Sequence, residues 1–208
     1  MTSTSGDEIH PRSSLGRTEI LVLLALGLVV FLIKLPYLPA WLIASVTFLL
    51  MAVGWGYVRA RYGFSLSPVI LVLLAGAVAV DGLGNAFHLY GRTFGPLMYD
   101  AFAHLVASAL TVPAIIWMLD ELLRRRGQRL SLGWITVFGI TGSFSVDAFY
   151  EVLELWDELY FGGQRIWGPY DAPRDLQWDL IGIFIGASVT YAVNRHRRSS
   201  DPAHRPDG

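Results

Sequence analysis

Six apolar segments alternate with short polar stretches along the chain. They cover residues 19–35, 41–58, 67–90, 100–123, 132–155 and 176–194. An α-helix needs roughly 20 residues to cross a hydrocarbon core ~30 Å thick, and these segments are close to that length. They are too long and too evenly apolar to be the strands of a barrel. The pattern therefore predicts an all-α, polytopic membrane protein, folded as a six-helix transmembrane bundle.

The two ends of the chain differ from this apolar part. Residues 1–17 and 196–208 are polar and have no periodic apolar face, so we expect disordered tails on either side of a transmembrane domain at 18–195. The first apolar segment, preceded by Arg12 and Arg17, also has features of a cleaved signal peptide. No A-x-A cleavage site follows it, which favours a retained helix.

Charged residues are distributed unevenly about the predicted helices. Of the 16 Lys and Arg residues, 12 fall on the side of the two termini and 4 on the other side. Lys and Arg are enriched in the cytoplasmic segments of membrane proteins. The asymmetry therefore predicts a multi-pass protein of the cell inner membrane with both termini in the cytoplasm. The 17 acids show the opposite bias, with 10 of them on the outer side.

The composition agrees with lipid as the solvent. Hydrophobic residues make up 53% of the 208 positions and charged residues 16%, against about 25% charged residues in a typical soluble domain. The mean hydropathy is +0.46. A net charge of −1 argues against nucleic acid as a partner, because phosphate binding needs a basic excess. The chain has no Cys, which excludes disulfides, thiolate metal ligands and cysteine nucleophiles.

Ionisable residues interrupt four of the predicted helices at spacings that return to one face. The third and fifth spans each carry three polar residues at i, i+4 and i+7, and the fourth and sixth each begin with a pair at i, i+4. These residues are Asp81, Asn85 and His88; Asp147, Glu151 and Glu154; Asp100 and His104; and Asp175 and Asp179. An ionisable group at membrane depth costs about 2.5–3.5 kcal/mol, so each needs a partner or a function.

The predicted topology brings these polar stripes together. Odd-numbered spans run outward and even-numbered spans run back, so the C-terminal ends of the former and the N-terminal ends of the latter meet at the outer face. Gly182 and Gly186 in the sixth span form a GxxxG pattern, which predicts a close contact between helices.

The converging groups are suited to a divalent metal ion. Carboxylates side by side repel one another, so they require bound protons or a cation. Carboxylates with imidazoles are typical ligands of Zn, Mn or Fe, and we predict a mono- or dinuclear divalent-metal site. Its candidate ligands are Asp81, His88, Asp100, His104, Asp147, Glu151, Glu154, Asp175 and Asp179. Proton binding, or interhelical hydrogen bonds around a water-filled vestibule, are the alternatives.

The layout of these residues resembles a known family. The positions that carry the resemblance are Gly95-Pro96, Tyr99-Asp100, His104, Asp81, His88, Glu151, Glu154 and residues 171–179. Over residues 36–195 the chain resembles the YjdF-type family of predicted prokaryotic inner-membrane proteins, a family of unknown function. The resemblance implies a polytopic inner-membrane protein and supplies no activity, cofactor or catalytic residue.

The leading functional hypothesis is a divalent-metal-dependent enzyme acting on a lipid or lipid-linked substrate near the outer leaflet, with a carboxylate such as Glu154 or Asp171 moving protons. Three cations on the outer side either bind a phosphate or carboxylate headgroup or neutralise the charge of the neighbouring acids. They are Arg92, Arg165 and Arg174. The alternatives are a proton or metal-cation transporter and a non-catalytic membrane scaffold. Polar residues are sparse in the inner halves of the helices, which favours a one-sided site. The expected partners are the lipid bilayer and a lipid or cation ligand at the outer face, and the oligomeric state stays open.

Overall fold

The computed structural model describes residues 56, 57, 59–61, 63, 67–162 and 166–199. The first predicted span, most of the second and the predicted N-terminal tail lie outside these residues, as does the C-terminal tail beyond residue 199. Residues 56 and 57, at the end of the second predicted span, and residues 59–61, just after it, are helical.

Four helices and one small hairpin make up the rest of the described chain. They are α1 (Pro68–Ala86), β1 (Thr93–Phe94), β2 (Leu97–Met98), α2 (Tyr99–Arg125), α3 (Leu132–Phe161) and α4 (Asp171–Ser199). Three segments, Tyr99–Arg125, Leu132–Phe161 and Asp171–Arg197, are long and apolar enough to cross a membrane, and Pro68–Gly84 is a shorter apolar helix. The all-α membrane fold is therefore confirmed, while the count of six spans stays a prediction.

The predicted boundaries differ from the observed helices mainly at polar ends. α1 ends at Ala86, four residues before the end of the third predicted span, whereas α3 continues to Phe161 and α4 extends from Asp171 to Ser199, into the segment predicted as a tail. A helix satisfies its own backbone hydrogen bonds in lipid and in water alike. Hydropathy therefore locates the apolar part of each helix but not the polar turns that extend it.

A two-stranded hairpin precedes α2 and was not predicted from the sequence. Its strands β1 and β2 are antiparallel, with Thr93 opposite Met98 and Phe94 opposite Leu97. The connecting turn contains Gly95, whose φ of 66° is in the left-handed region that glycine adopts without strain. Strands of two residues are too short to produce an alternating pattern, so hydrophobic periodicity does not predict them.

α2 contacts each of the other three helices, and the contacts fix the helix directions. The pairs are Val80 with Tyr99 and Gly76 with Leu110 for α1, Asp147 with Ser108 and Gly139 with Ile116 for α3, and Gly182 with Leu105 and Gly186 with Ala109 for α4. α1 and α3 therefore run antiparallel to α2, and α4 runs parallel to it. The C-terminal ends of α1 and α3 lie at the same end of the bundle as the N-terminal ends of α2 and α4, as the predicted topology requires.

Two glycines allow α4 to pack closely on α2. A Cβ atom at Gly182 would overlap the backbone oxygen of Leu105, and one at Gly186 would overlap the backbone oxygen of Ala109 and the side chain of Val112. Small residues at this spacing let helix backbones approach each other in membrane proteins. The close helix contact predicted from the GxxxG pattern is confirmed.

The end of the bundle away from the hairpin has an apolar core. Its buried residues are Val112, Ile116, Ile135, Ile183 and Ala187. Val112 follows His104 by eight residues, which is about 12 Å along α2. Large apolar side chains such as Phe149 and Phe184 are exposed on α3 and α4. A surface of this kind is suited to contact with lipid rather than water.

Arginine residues mark the same end of the bundle. In the last turn of α2, Arg124 and Arg125 donate hydrogen bonds to the carboxylate of Glu121. Cations near a helix C-terminus also interact favourably with the helix dipole. The bundle therefore has a basic end and, at the N-termini of α2 and α4, an acidic end.

Candidate metal centre

His104, in the second turn of α2, is the centre of the acidic end. Its Nδ1 atom lies 3.1 Å and 3.2 Å from the two carboxylate oxygens of Asp179 in α4. Its Nε2 atom lies 3.9 Å from Asp100 Oδ1 and 3.9 Å from Asp175 Oδ2. The imidazole is therefore positioned between one carboxylate at Nδ1 and two carboxylates at Nε2.

The contact with Asp179 decides which nitrogen of the ring can bind a ligand. An ionised carboxylate offers only acceptors, so when Asp179 is ionised the Nδ1–H group of His104 donates a hydrogen bond to it. In the neutral imidazole, Nε2 then presents its lone pair toward Asp100 and Asp175. A carboxylate that orients a histidine through its other nitrogen is the usual outer support of a histidine metal ligand.

Two groups of described residues bring possible ligand atoms within 4.8 Å of one another: Asp100, His104 and Asp175, and His104, Glu151 and Asp179. Two atoms bound to one ion at about 2.1 Å each are at most about 4.2 Å apart. The two distances of 3.9 Å from His104 Nε2 therefore fit a single ion. The first group is the better ligand set, because in the second group Asp179 already bonds the His104 ring through Nδ1.

The carboxylates of this centre are withdrawn from solvent. Asp175 and Asp179 are each 3% exposed and Glu151 is 8% exposed. Within the described part of the chain, the buried atoms Asp175 Oδ1 and Glu151 Oε1 have no hydrogen-bond partner. A buried polar group left without a partner costs about 1–3 kcal/mol, and more when it is charged. The arrangement therefore calls for a cation or a proton to complete it.

Ser108 connects the carboxylates of α3 and α4. Its hydroxyl oxygen lies 2.7 Å from Asp179 Oδ1 and 3.1 Å from Asp147 Oδ2. Ser108 is one turn after His104 on α2, so both side chains face the same neighbours. Ser108 was not among the candidate residues predicted from the sequence, and its i+4 spacing from His104 is the signal that could have found it.

The structure brings six of the nine predicted ligands together: Asp100, His104, Asp147, Glu151, Asp175 and Asp179. Glu154 follows Glu151 by three residues on α3 and is half-buried, outside both ligand groups. The convergence at one end of the bundle follows from the helix directions. That these residues bind a metal stays a prediction.

Asp81 and His88 belong to neither of the two ligand groups. Asp81 in α1 accepts a hydrogen bond of 2.7 Å from the hydroxyl of Tyr90, and burial, together with the Asp81 charge, raises the pKa of Tyr90. His88 is exposed and has a left-handed φ of 50°. Because α1 ends at Ala86, the predicted helical stripe through His88 does not form, and that expectation is wrong.

Sequence reasoning also missed a buried carboxylate. Asp157, near the end of α3, is 0% exposed. It follows Glu154 by three residues, so continuing the spacing of the acidic stripe by one more turn would have found it. Its backbone oxygen accepts a hydrogen bond from Gly162, which ends the helix with a left-handed φ of 73°.

A pocket of about 200 Å³ adjoins the candidate centre, between the hairpin and the first turns of α4. Its walls include Leu97, Met98, Asp100, Arg174, Asp175 and Trp178. Asp100 and Asp175 belong both to the pocket and to the first ligand group. An ion held by that group would therefore be in contact with a molecule in the pocket.

Comparison with known proteins gives one match. The family model described as predicted membrane protein (DUF2238) matches residues 18–199. This confirms the resemblance to a family of predicted membrane proteins. No curated protein and no solved structure matches the chain.

Proposed function

The chain belongs to the DUF2238 family of predicted membrane proteins, and we propose that it binds one divalent metal ion. In this proposal it acts as a metal-dependent enzyme on a lipid or lipid-linked substrate. Asp100, His104 Nε2 and Asp175 provide the protein ligands. Asp179 holds the His104 ring in orientation. Three protein ligands leave further positions on the ion open for water or substrate, as a catalytic site requires.

One observation carries the proposal. The imidazole of His104 is fixed through Nδ1 by Asp179, and its Nε2 faces two carboxylates, one of which has a buried oxygen, Asp175 Oδ1, without a hydrogen-bond partner among the described residues. If the cluster were only a network of interhelical hydrogen bonds, that oxygen would be expected to have a partner. A cation that Asp175 binds through both carboxylate oxygens would satisfy Oδ1 and offset the repulsion between the carboxylates.

The ligand set favours Zn, Mn or Fe. Ca²⁺ and Mg²⁺ prefer sites made of oxygen atoms, whereas an imidazole with carboxylates suits first-row transition metals. The carboxylates of Asp100 and Asp175 give a net charge of −2 for one neutral imidazole, which a divalent ion neutralises.

A divalent ion held by Asp100, His104 and Asp175 would polarise an oxygen of the substrate or activate a bound water. Glu151 is the buried carboxylate left over from the ligand set, with Oε1 unpartnered in the described part of the chain. In a hydrolysis the water oxygen bonds to the ester centre and its proton passes to Glu151. The bond to the leaving oxygen breaks, and that oxygen takes up the proton that Glu151 received from the water.

The apolar core supports a one-sided enzyme site over a transport path. Val112, Ile116, Ile135 and Ile183 are almost completely buried between the centre and the arginine-rich end. A transporter carries polar groups through the depth of the membrane. A proton or metal-cation path that runs from His104 between the described helices would have to cross this core.

We further propose that the centre lies near the outer leaflet of the cell inner membrane, in a bundle of six helices with both termini in the cytoplasm. The arginine residues at the opposite end, including Arg124 and Arg125, support this orientation, because Lys and Arg are enriched on the cytoplasmic side.

Elemental analysis of the full-length protein, purified in detergent, tests the metal site. We expect one ion per chain in the wild type and in the control His88→Ala, and loss of the ion in His104→Ala. Asp175→Asn preserves the shape of the side chain and should also lose metal. Asp120→Asn makes the same change at an aspartate outside the ligand groups and should keep the metal. Wild-type protein without metal after metal-supplemented purification would contradict the proposal.

A second measurement separates an enzyme from a transporter. If the wild type turns over lipid esters and Glu151→Gln does not, while both proteins bind the ion, the result supports the enzymatic function. Metal or proton flux into liposomes by the wild type, without turnover of any lipid ester, supports transport instead.

A further inference from the structure

The pocket beside the candidate centre combines a cation with apolar walls. Arg174, in the first turn of α4, contributes a guanidinium, and Met98 and Trp178 contribute apolar surface. Asp100 and Asp175 close the side that faces the proposed ion. The volume of about 200 Å³ is below the roughly 300–1,000 Å³ of pockets that enclose a drug-sized molecule. The pocket therefore has the size for a headgroup rather than for a whole lipid.

We propose that this pocket binds the phosphate group of a lipid, between Arg174 on one side and the ion held by Asp100, His104 and Asp175 on the other. The inference rests on the proposed function, because it needs the ion. Without a cation, the carboxylates of Asp100 and Asp175 would repel an anion. With a divalent ion bound, their charge is neutralised and Arg174 makes the pocket positive.

The geometry of the two cationic groups favours phosphate. A guanidinium presents two parallel N–H donors that pair with two oxygens of one phosphate. A phosphate ester has further oxygens for the ion, so one group can bridge both cations. Among the described residues the Arg174 guanidinium has no carboxylate within ion-pair distance, while Asp175, the next residue along α4, lies against His104 Nε2.

The apolar walls and the position in the bundle favour a lipid over free phosphate. The pocket lies at the N-terminal ends of α2 and α4, two helices able to cross a membrane, so it is at the level of the headgroups. Trp178 and Met98 provide surface for the glycerol backbone and the first carbons of a chain. Trp167 and Tyr170, exposed just before α4, are residue types that favour this interfacial level.

Titration of the metal-loaded, full-length protein in detergent tests the inference. The probes are a short-chain phosphatidic acid, the matched uncharged diacylglycerol and inorganic phosphate. Arg174→Gln should weaken the binding of phosphatidic acid about tenfold or more, the loss expected for a charge-assisted hydrogen-bonded pair, with unchanged metal content. The matched control is Arg195→Gln, at the other end of α4. Trp178→Ala should weaken binding of phosphatidic acid and leave that of inorganic phosphate unchanged.

The outcomes separate this inference from the proposed function. Equal affinity of wild type and Arg174→Gln for phosphatidic acid, with metal bound in both, overturns the phosphate pocket and leaves the metal site intact. Inorganic phosphate binding as tightly as phosphatidic acid overturns the lipid part. Loss of phosphatidic acid binding on removal of metal with a chelator, and its return when metal is restored, supports the bridging arrangement, and binding that is indifferent to metal overturns it.

Discussion

The hydrogen bond between His104 and Asp179 lies beside a close contact of α2 and α4 at Gly182. His104 Nδ1 and Asp179 Oδ1 are 3.1 Å apart. Gly182, three residues after Asp179, packs against the backbone of Leu105, the residue after His104. The glycine that lets α2 and α4 approach therefore also sets the distance from imidazole to carboxylate. Helix packing and the candidate metal centre are coupled through this pair.

The first prediction concerns Asp179→Asn. The amide keeps the size of the side chain but removes the charge, and its oxygen is a weaker acceptor for His104 Nδ1. Outer carboxylates that orient histidine ligands typically contribute 10–100-fold to metal affinity. We expect a loss of about that size, measured by competition with a chelator of known affinity. Asp120→Asn serves as the control, and an unchanged affinity in Asp179→Asn would show that Asp179 does not support the site.

The sequence predicted the acidic end of the bundle because two simple rules determine it. Residues at i and i+4 on a helix share a face, and successive membrane helices alternate in direction. These rules bring Asp100 and His104 of α2 next to Asp175 and Asp179 of α4 and Glu151 of α3. Neither rule needs the identity of the surrounding apolar residues, which explains why the prediction did not depend on details of packing.

The finer features of the site depend on atoms that a spacing pattern does not specify. His88 has the correct spacing from Asp81, but α1 ends first, and an apolar run does not reveal where a helix stops. The different roles of Nδ1 and Nε2 in His104 follow from the approach of α2 and α4 at Gly182. The pocket requires the hairpin at Gly95, which is too short for a periodic signal.

The second prediction is a pH dependence that involves Tyr90. Burial, then the Asp81 charge and the hydrogen bond to Asp81, raise the pKa of Tyr90 above its ordinary value. A group with a raised folded pKa stabilises the fold fully below its unfolded pKa, here about pH 10, and this contribution is lost as the pH rises beyond it. Tyr90→Phe should therefore lower the free energy of unfolding by about 1.5 kcal/mol at neutral pH, and the difference from wild type should shrink above about pH 10.

Thermal unfolding in detergent, between about pH 8 and pH 11, measures this difference. Tyr160→Phe is the matched control, because Tyr160 is exposed at the end of α3. It should differ from the wild type by a small amount that does not vary with pH. A Tyr90→Phe variant that unfolds like the wild type across the whole range would refute the role assigned to the bond with Asp81.

The third prediction uses the coupling between helix packing and the metal centre. In Gly182→Ala the new Cβ meets the backbone oxygen of Leu105, which cannot move aside as a side chain could. We expect a loss of about 1–3 kcal/mol in the free energy of unfolding and a lower metal affinity, although Gly182 has no ligand atom. In the control Gly133→Ala, the Cβ meets only Ser131 Oγ at 3.9 Å, an ordinary contact. That variant should bind metal like the wild type. Equal metal affinities and unfolding temperatures in the two variants would show that the close contact of α2 and α4 does not position His104 against Asp179.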